Sequence, residues 1–145
     1  MPIRYRVDES LSLVFFMVDG NHTVSDLVRH HYETRTQVHY HQGLRLIYDV
    51  TRAEIEFSLE DLYTNNNLNE QEYAQQGYLL PVAIISNSSV LTLVSKTINL
   101  FSASLPLKLG AFTTLADAVT WLRLADEFPR IERIQQILAA PNDGN

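Results

Sequence analysis

The chain contains no cysteine, which excludes disulfides, thiolate nucleophiles and cysteine-ligated zinc or iron–sulfur centres. No apolar run approaches the roughly 20 residues that cross a bilayer as a helix. The start, Met1-Pro2-Ile3-Arg4, turns strand-like at once and lacks the blocks of a signal peptide. A cytoplasmic protein in a reducing compartment is expected. No Gly-x-Ser-x-Gly elbow occurs, no Gly-rich phosphate loop follows any strand-like segment, and there is no His-Glu-x-x-His helix. Those absences remove the commonest serine hydrolase, nucleotide-binding and zinc-protease readings. Nor is there any lysine or arginine between Arg52 and Lys96, while Glu54, Glu56, Glu60, Asp61, Glu70 and Glu72 all fall there. An acidic field of this kind repels phosphate backbones and favours a basic protein partner. A solvated helix face is the plain alternative.

What is present reads as a globular α/β chain. At 145 residues, with 46% hydrophobic and 19% charged residues, it can bury a core without staples. Tyr5 and Val7 alternate with Arg4, Arg6 and Asp8, as in a half-exposed strand. Asp8-Glu9-Ser10 is turn chemistry. Leu11 to Val18 is almost wholly apolar, so it predicts a strand buried on both faces and paired with the first as a hairpin. Asp19-Gly20-Asn21 should end it.

Thr23 can cap a helix through Leu27, Val28 and His31 to about Glu33, with Asp26 favourable near its start. After a polar stretch from Arg35 to Gly43, Leu44 to Val50 reads as a second buried strand ending in Asp49, parallel to the first across the helix. Ser58 then caps a helix to about Thr64, with Asp61 completing a capping-box-like pattern. A short helix from Glu70 to Gln76 is stopped by Gly77.

Leu79 to Ser86 is a third buried strand, with Pro81 tolerable near its start. Val90 to about Ser102 has helical spacing and one charge, Lys96. Leu107, Leu109, Ala111 and Phe112 make a short edge strand. Thr114 caps a helix through Ala118, Trp121 and Leu122. Beyond Phe128-Pro129, the residues Ile131, Ile134, Ile137 and Leu138 form the apolar face of a final helix, and Pro141 to Asn145 a frayed tail.

This order resembles the STAS, or anti-sigma-factor-antagonist, domains and particularly their small stand-alone bacterial relatives. The residues that carry the likeness are Leu44-Arg45-Leu46-Ile47-Tyr48-Asp49-Val50, Ile55 and Phe57 before a helix, Val82-Ala83-Ile84-Ile85 running into a helix, and the segment from Phe112 to Leu122. The resemblance covers roughly Ile3 to Leu124 and implies one α/β domain, a four- to five-stranded mixed sheet with flanking helices. On that reading 1–125 is the STAS-like domain and 126–145 a C-terminal amphipathic helix and tail. It also implies a non-enzymatic regulatory module whose helix after the central strand meets a protein partner.

STAS antagonists carry a serine there that a partner kinase phosphorylates. Ser58 lies within a residue or so of that position, but the preceding aspartate and following glycine of the family's turn are missing. Glu56, Glu60 and Asp61 would also meet an added phosphate with like charge. As a plain helix cap Ser58 needs no such partner. The partner-facing residues expected are Asp49, Glu54, Glu56, Ser58, Glu60 and Asp61.

Other constellations are thinner. His39 and His41 share a side if extended, and Asp26 or Glu33 could add a carboxylate, but alternating His and Tyr is common surface composition, so no metal and no cofactor is expected. Asp49 is the best acid or base in the chain, though accepting N–H groups of the next turn explains it too. Ser86-Asn87-Ser88-Ser89 at a helix start could hold an anion through free N–H groups. The nearly uncharged face from Val90 to Phe101 suits core, a homodimer contact, or the wall of a small-molecule or lipid pocket of the kind CRAL-TRIO carriers have. That makes a ligand binder the alternative function.

Overall fold

Two strands of alternating and wholly apolar sequence open the chain and pair as expected. The computed structural model describes residues 3–56, 80–87 and 107–140. Strand β1 (Ile3–Asp8) lies antiparallel to β2 (Leu13–Thr23), with Tyr5 opposite Phe16 and Asp8 opposite Leu13. A 3-10 turn over Glu9–Leu11 joins them, started by Asp8, whose carboxylate accepts the Leu11 N–H. Strands β3 (Arg45–Glu56), β4 (Leu80–Ile85) and β5 (Leu107–Phe112) follow, all parallel to β2, in the sheet order β1-β2-β3-β4-β5. The three apolar strands are central, and Leu107–Phe112 is the edge that its length suggested.

Helix α1 (Val24–Thr34) starts directly from the end of β2. Thr23 and Asp26 close a reciprocal capping box: Asp26 Oδ2 accepts the Thr23 N–H at 2.9 Å, and Thr23 Oγ1 accepts the Asp26 N–H at 3.1 Å. The Thr23 N–H and hydroxyl hold the Asp26 carboxyl below its usual range. Helix α2 (Leu115–Trp121) is capped by Thr114 as the sequence indicates. Helix α3 (Phe128–Ala139) carries Pro129 in its first turn, where the missing N–H costs nothing.

Strand alternation sorts the core into two layers. Leu13, Phe15 and Met17 of β2, Ile47 of β3, and Ala83 and Ile85 of β4 face α2 and α3, where Ala118, Val119, Ile131 and Ile134 meet them. Val14, Phe16 and Val18, with Leu46, Tyr48 and Val50, face the opposite side, which Leu27, Val38 and Tyr40 help to cover. The final helix is therefore half of one core layer. Its Ile131, Ile134 and Leu138 are buried, but Ile137 is 44% exposed, contrary to its expected place on the apolar face. At about 100° per residue it falls roughly 60° outside the arc those three define.

Two strands outrun their expected ends. β2 continues through Asp19-Gly20-Asn21 to Thr23, and β3 continues from Val50 to Glu56. The pairing steps from Met17↔Asp49 to Asp19↔Arg52, so β3 carries one extra residue there, a bulge. Gly20 takes φ 83° just past it, a conformation that costs a side-chain-bearing residue energy. The bulge reverses the alternation of β3. Asp49 and Arg52, three apart, therefore both turn toward α3, and Ala53 returns to the α1 layer. At the far edge a Cβ on Gly110 would come within 2.9 Å of the Phe112 ring and 3.0 Å of Trp121, so a larger residue there would have to displace those rings.

The expected helices over 59–64, 70–76 and 90–102 lie outside the described residues, as do Ser58, Glu60, Asp61, Ser88 and Ser89.

Candidate functional site

The bulge places the chemistry of the sheet's carboxyl end. Asp19, on β2, accepts from two guanidinium groups: Arg4 Nη2 at 2.7 Å and Arg52 Nε at 3.0 Å. Each arginine also reaches the end of α3, Arg52 Nη1 donating to the Ala139 carbonyl at 2.9 Å and Arg4 Nη1 to that of Ala140 at 3.3 Å. Cations thus sit at the negative end of the helix dipole, satisfying carbonyls the helix itself leaves open. At the other end Arg130 grips Asp8 with both Nε (2.8 Å) and Nη2 (3.0 Å). Burial works against the Asp8 carboxylate, but Ser10, the Leu11 N–H and Arg130 outweigh it and lower its pKa. We expect Asp19→Ala to cost about 1–2 kcal/mol, the scale of charged hydrogen bonds discounted for half-exposed Arg52. Urea unfolding reads the loss, and hydrogen exchange should quicken first at the end of α3. An unchanged midpoint would remove this knot from the account of how α3 is held.

Asp49 is not at a strand end and not on a surface. It sits inside β3, 3% exposed. Its Oδ1 accepts the Thr51 N–H at 3.0 Å and the Thr51 hydroxyl at 2.6 Å, and its Oδ2 accepts Gln135 Nε2 of α3 at 2.9 Å. It therefore leaves the set of partner-facing residues, because strand alternation puts it on the face of Ile47, under α3. Glu54 and Glu56 are exposed on the part of β3 that runs beyond Asp49↔Ile85, its last pairing with β4. They lie opposite Asn21 and Thr23.

The anion turn is altered too. Ser86 is 1% exposed, and its N–H donates to the Phe112 carbonyl at 2.9 Å, so that group is spent on the β4–β5 ladder. Its hydroxyl, and that of Tyr48, are buried and have no hydrogen-bond partner among the described residues. Both belong to the α1 side of the sheet by strand alternation, Tyr48 stacked flat on Phe16 with centroids 4.2 Å apart. Burial drives the Tyr48 pKa well up. The histidine pair does come together: the rings of His39 and His41 lie 5.7 Å apart, nearly parallel. Among the described residues no three His, Asp or Glu side chains form a metal-holding group.

Sequence reasoning missed the Asp19 knot and the Tyr48 hydroxyl. Arg4 and Asp19 sit on opposite strands of a legible hairpin, which is a usable signal. Arg52 needed the bulge, which nothing in the residue pattern announces.

A mixed sheet of this order with helices on both faces is the SpoIIAA-like, or STAS-like, fold, as the resemblance implied. The crystal structure of an uncharacterised protein of the DUF3478 family from Shewanella loihica PV-4, described as having a SpoIIAA-like fold, is similar to this chain with a TM-score of 0.52 and 18% identity. The match covers 83% of this chain and 92% of that one. No family model matches the chain, and neither does any curated protein. At that identity the likeness speaks for the fold alone. No helix among the described residues is long and apolar enough to cross a membrane.

Proposed function

We propose that the protein is a non-enzymatic regulatory module that binds a basic protein partner at the outrunning end of β3 and the stretch after it. The observation that carries this is the exposure of Glu54 and Glu56 on a strand segment beyond the β4 pairing. No lysine or arginine follows until Lys96, so Ser58, Glu60 and Asp61 belong to the same acidic stretch. Asp49, committed to Thr51 and Gln135, supports binding over catalysis.

Attraction of this kind raises the association rate and weakens as salt shortens the Debye length to about 8 Å near physiological strength. Glu54→Lys with Glu56→Lys should slow capture of a basic protein from source lysate about tenfold while leaving the fold intact, since both side chains are exposed. Glu60→Lys with Asp61→Lys extends the test along the stretch. If wild type and reversals capture the same proteins equally at low salt, the acidic face is only solvated surface.

A small-molecule or lipid binder is the second reading, favoured by the hydroxyls of Tyr48 and Ser86. Neither has a partner among the described residues, and a buried hydroxyl left without one costs about 1–3 kcal/mol, which a ligand group would recover. Native mass spectrometry of protein from its source cells decides: a retained mass supports the ligand, a bare chain removes it.

A further inference from the structure

Both large hydrophobic residues that are exposed among the described residues line one cleft. Val7, 37% exposed, stands on β1, and Ile137 stands on α3. The cleft, about 490 Å³, is open to solvent and carries three arginines, Arg6, Arg130 and Arg133, against two carboxylates, Asp8 and Glu9. One wall is the carboxyl half of β1, the first strand in the sheet order, whose outer edge pairs with nothing among the described residues. The other wall is the flank of α3. Arg130 is engaged with Asp8, whereas the exposed Arg6 and Arg133 make no ion pair among the described residues.

We propose that this cleft takes an extended, acidic segment of a partner protein, added as a further strand along the outer edge of β1. The unpaired N–H and C=O groups of an edge strand are a template for such addition, and pockets beside it select side chains. Acidic positions on the incoming strand meet Arg6 and Arg133 on the α3 face, and the alternating apolar positions, on the opposite face, lie beside Val7. The arginines also argue against a second copy as occupant. Antiparallel pairing of β1 with itself, centred on Tyr5 or on Arg6, sets arginine opposite arginine, and like charges directly opposite destabilise a ladder. An acidic strand turns that repulsion into attraction. This surface has the opposite charge preference from the acidic end of β3, and the two stand or fall separately.

The test uses the full chain and two fluorescein-labelled hexapeptides, one alternating Val and Glu, the other Val and Lys, read by fluorescence anisotropy. The Glu peptide should bind and the Lys peptide should not. Arg6→Glu and Arg133→Glu should each weaken the Glu peptide about tenfold, the scale expected when one charge pair is removed. Glu54→Lys should leave that affinity unchanged, which separates this site from the acidic one. Amides of β1 should exchange more slowly with the peptide bound, a change that attraction to the surface alone would not produce. Circular dichroism checks folding, and Arg133→Gln gives the same readout should a reversal unfold the chain. Equal binding of both peptides, or none at about 1 mM, the weak end of specific association, overturns the proposal. So does affinity indifferent to both reversals, unaltered exchange in β1, or a dimer in sedimentation that the Glu peptide dissolves.

Discussion

Phe16→Ala should destabilise the protein by about 3–5 kcal/mol, the range for emptying a buried aromatic site. Phe16 is fully buried in the middle of β2. Its ring stacks on Tyr48 at 4.2 Å, meets His30 edge-on at 5.7 Å and lies 5.7 Å from Tyr5. Removing it leaves a void that neighbours on three different elements cannot fill together, because Tyr5, His30 and Tyr48 are each anchored by their own backbone. It also removes ring–ring contacts worth about 0.5–1.5 kcal/mol beyond area burial. Against a total of about 5–15 kcal/mol for a domain, that is a large fraction. The thermal midpoint should fall by roughly 10 °C or more. The slope of unfolding against urea should hold, since the surface exposed on unfolding hardly changes. Phe16→Leu, which fills most of the volume, should lose less than half as much. If Phe16→Ala cost under about 1 kcal/mol, Phe16 would not be core, and the layer facing α1 would be wrongly built.

That layer was largely legible in the residues. Leu13 to Val18 admits no exposed face, so a central strand follows, and Val82 to Ile85 behaves alike. The capping chemistry of Thr23 with Asp26, and of Thr114, located two helix starts because a side-chain oxygen beside an apolar repeat has one local use there. The extensions of β2 and β3 were not legible. Asp19-Gly20-Asn21 has turn composition, yet its Gly20 serves a bulged ladder, and the polar pair Thr51-Arg52 breaks β3 before Ala53 and Ile55 resume the alternation with Glu54 and Glu56. Asp49 was misplaced for a related reason. Its partner Gln135 lies 86 residues away, and only the tertiary fold brings the two together. Ile137 misled because four apolar residues at helical spacing suggest one stripe, whereas at about 100° per residue it lies outside the arc of Ile131, Ile134 and Leu138 that meets the sheet. The exposure of Glu54 and Glu56 was legible from charge alone, since exposure is the ordinary fate of glutamate. The cleft at β1 could not be, because it needs Arg6 and Arg133 side by side across more than 120 residues.

His31 makes stability depend on pH in a window the carboxylates leave clear. The side chain is 4% exposed on α1 beside the Tyr40 ring, 5.2 Å away. Burial, with smaller contributions from the nearby charges of Arg35 and His30, pushes its pKa down from 6.5 to about 3. The folded protein therefore holds His31 neutral where the unfolded chain would protonate it. Stability is fully present above pH 6.5 and is lost as pH falls toward about 3, because the unfolded state then binds the extra proton. The slope approaches about 1.4 kcal/mol per pH unit, so roughly 2 kcal/mol should go between pH 6.5 and about 5. His30, lowered chiefly by its own partial burial, acts in the same direction. Asp8 and Asp26 also have lowered values. Their contributions are present above the ordinary aspartate value near 3.8 and fade only below it. Urea midpoints at about pH 7.5, 6 and 5 should therefore decline for the wild type and decline much less for His31→Gln, which keeps a planar polar group that cannot charge. The variant will be weaker at neutral pH, so the comparison rests on slopes and not on absolute stability. Parallel slopes for the two proteins across that range would show that His31 titrates normally, and that α1 does not seal it from water.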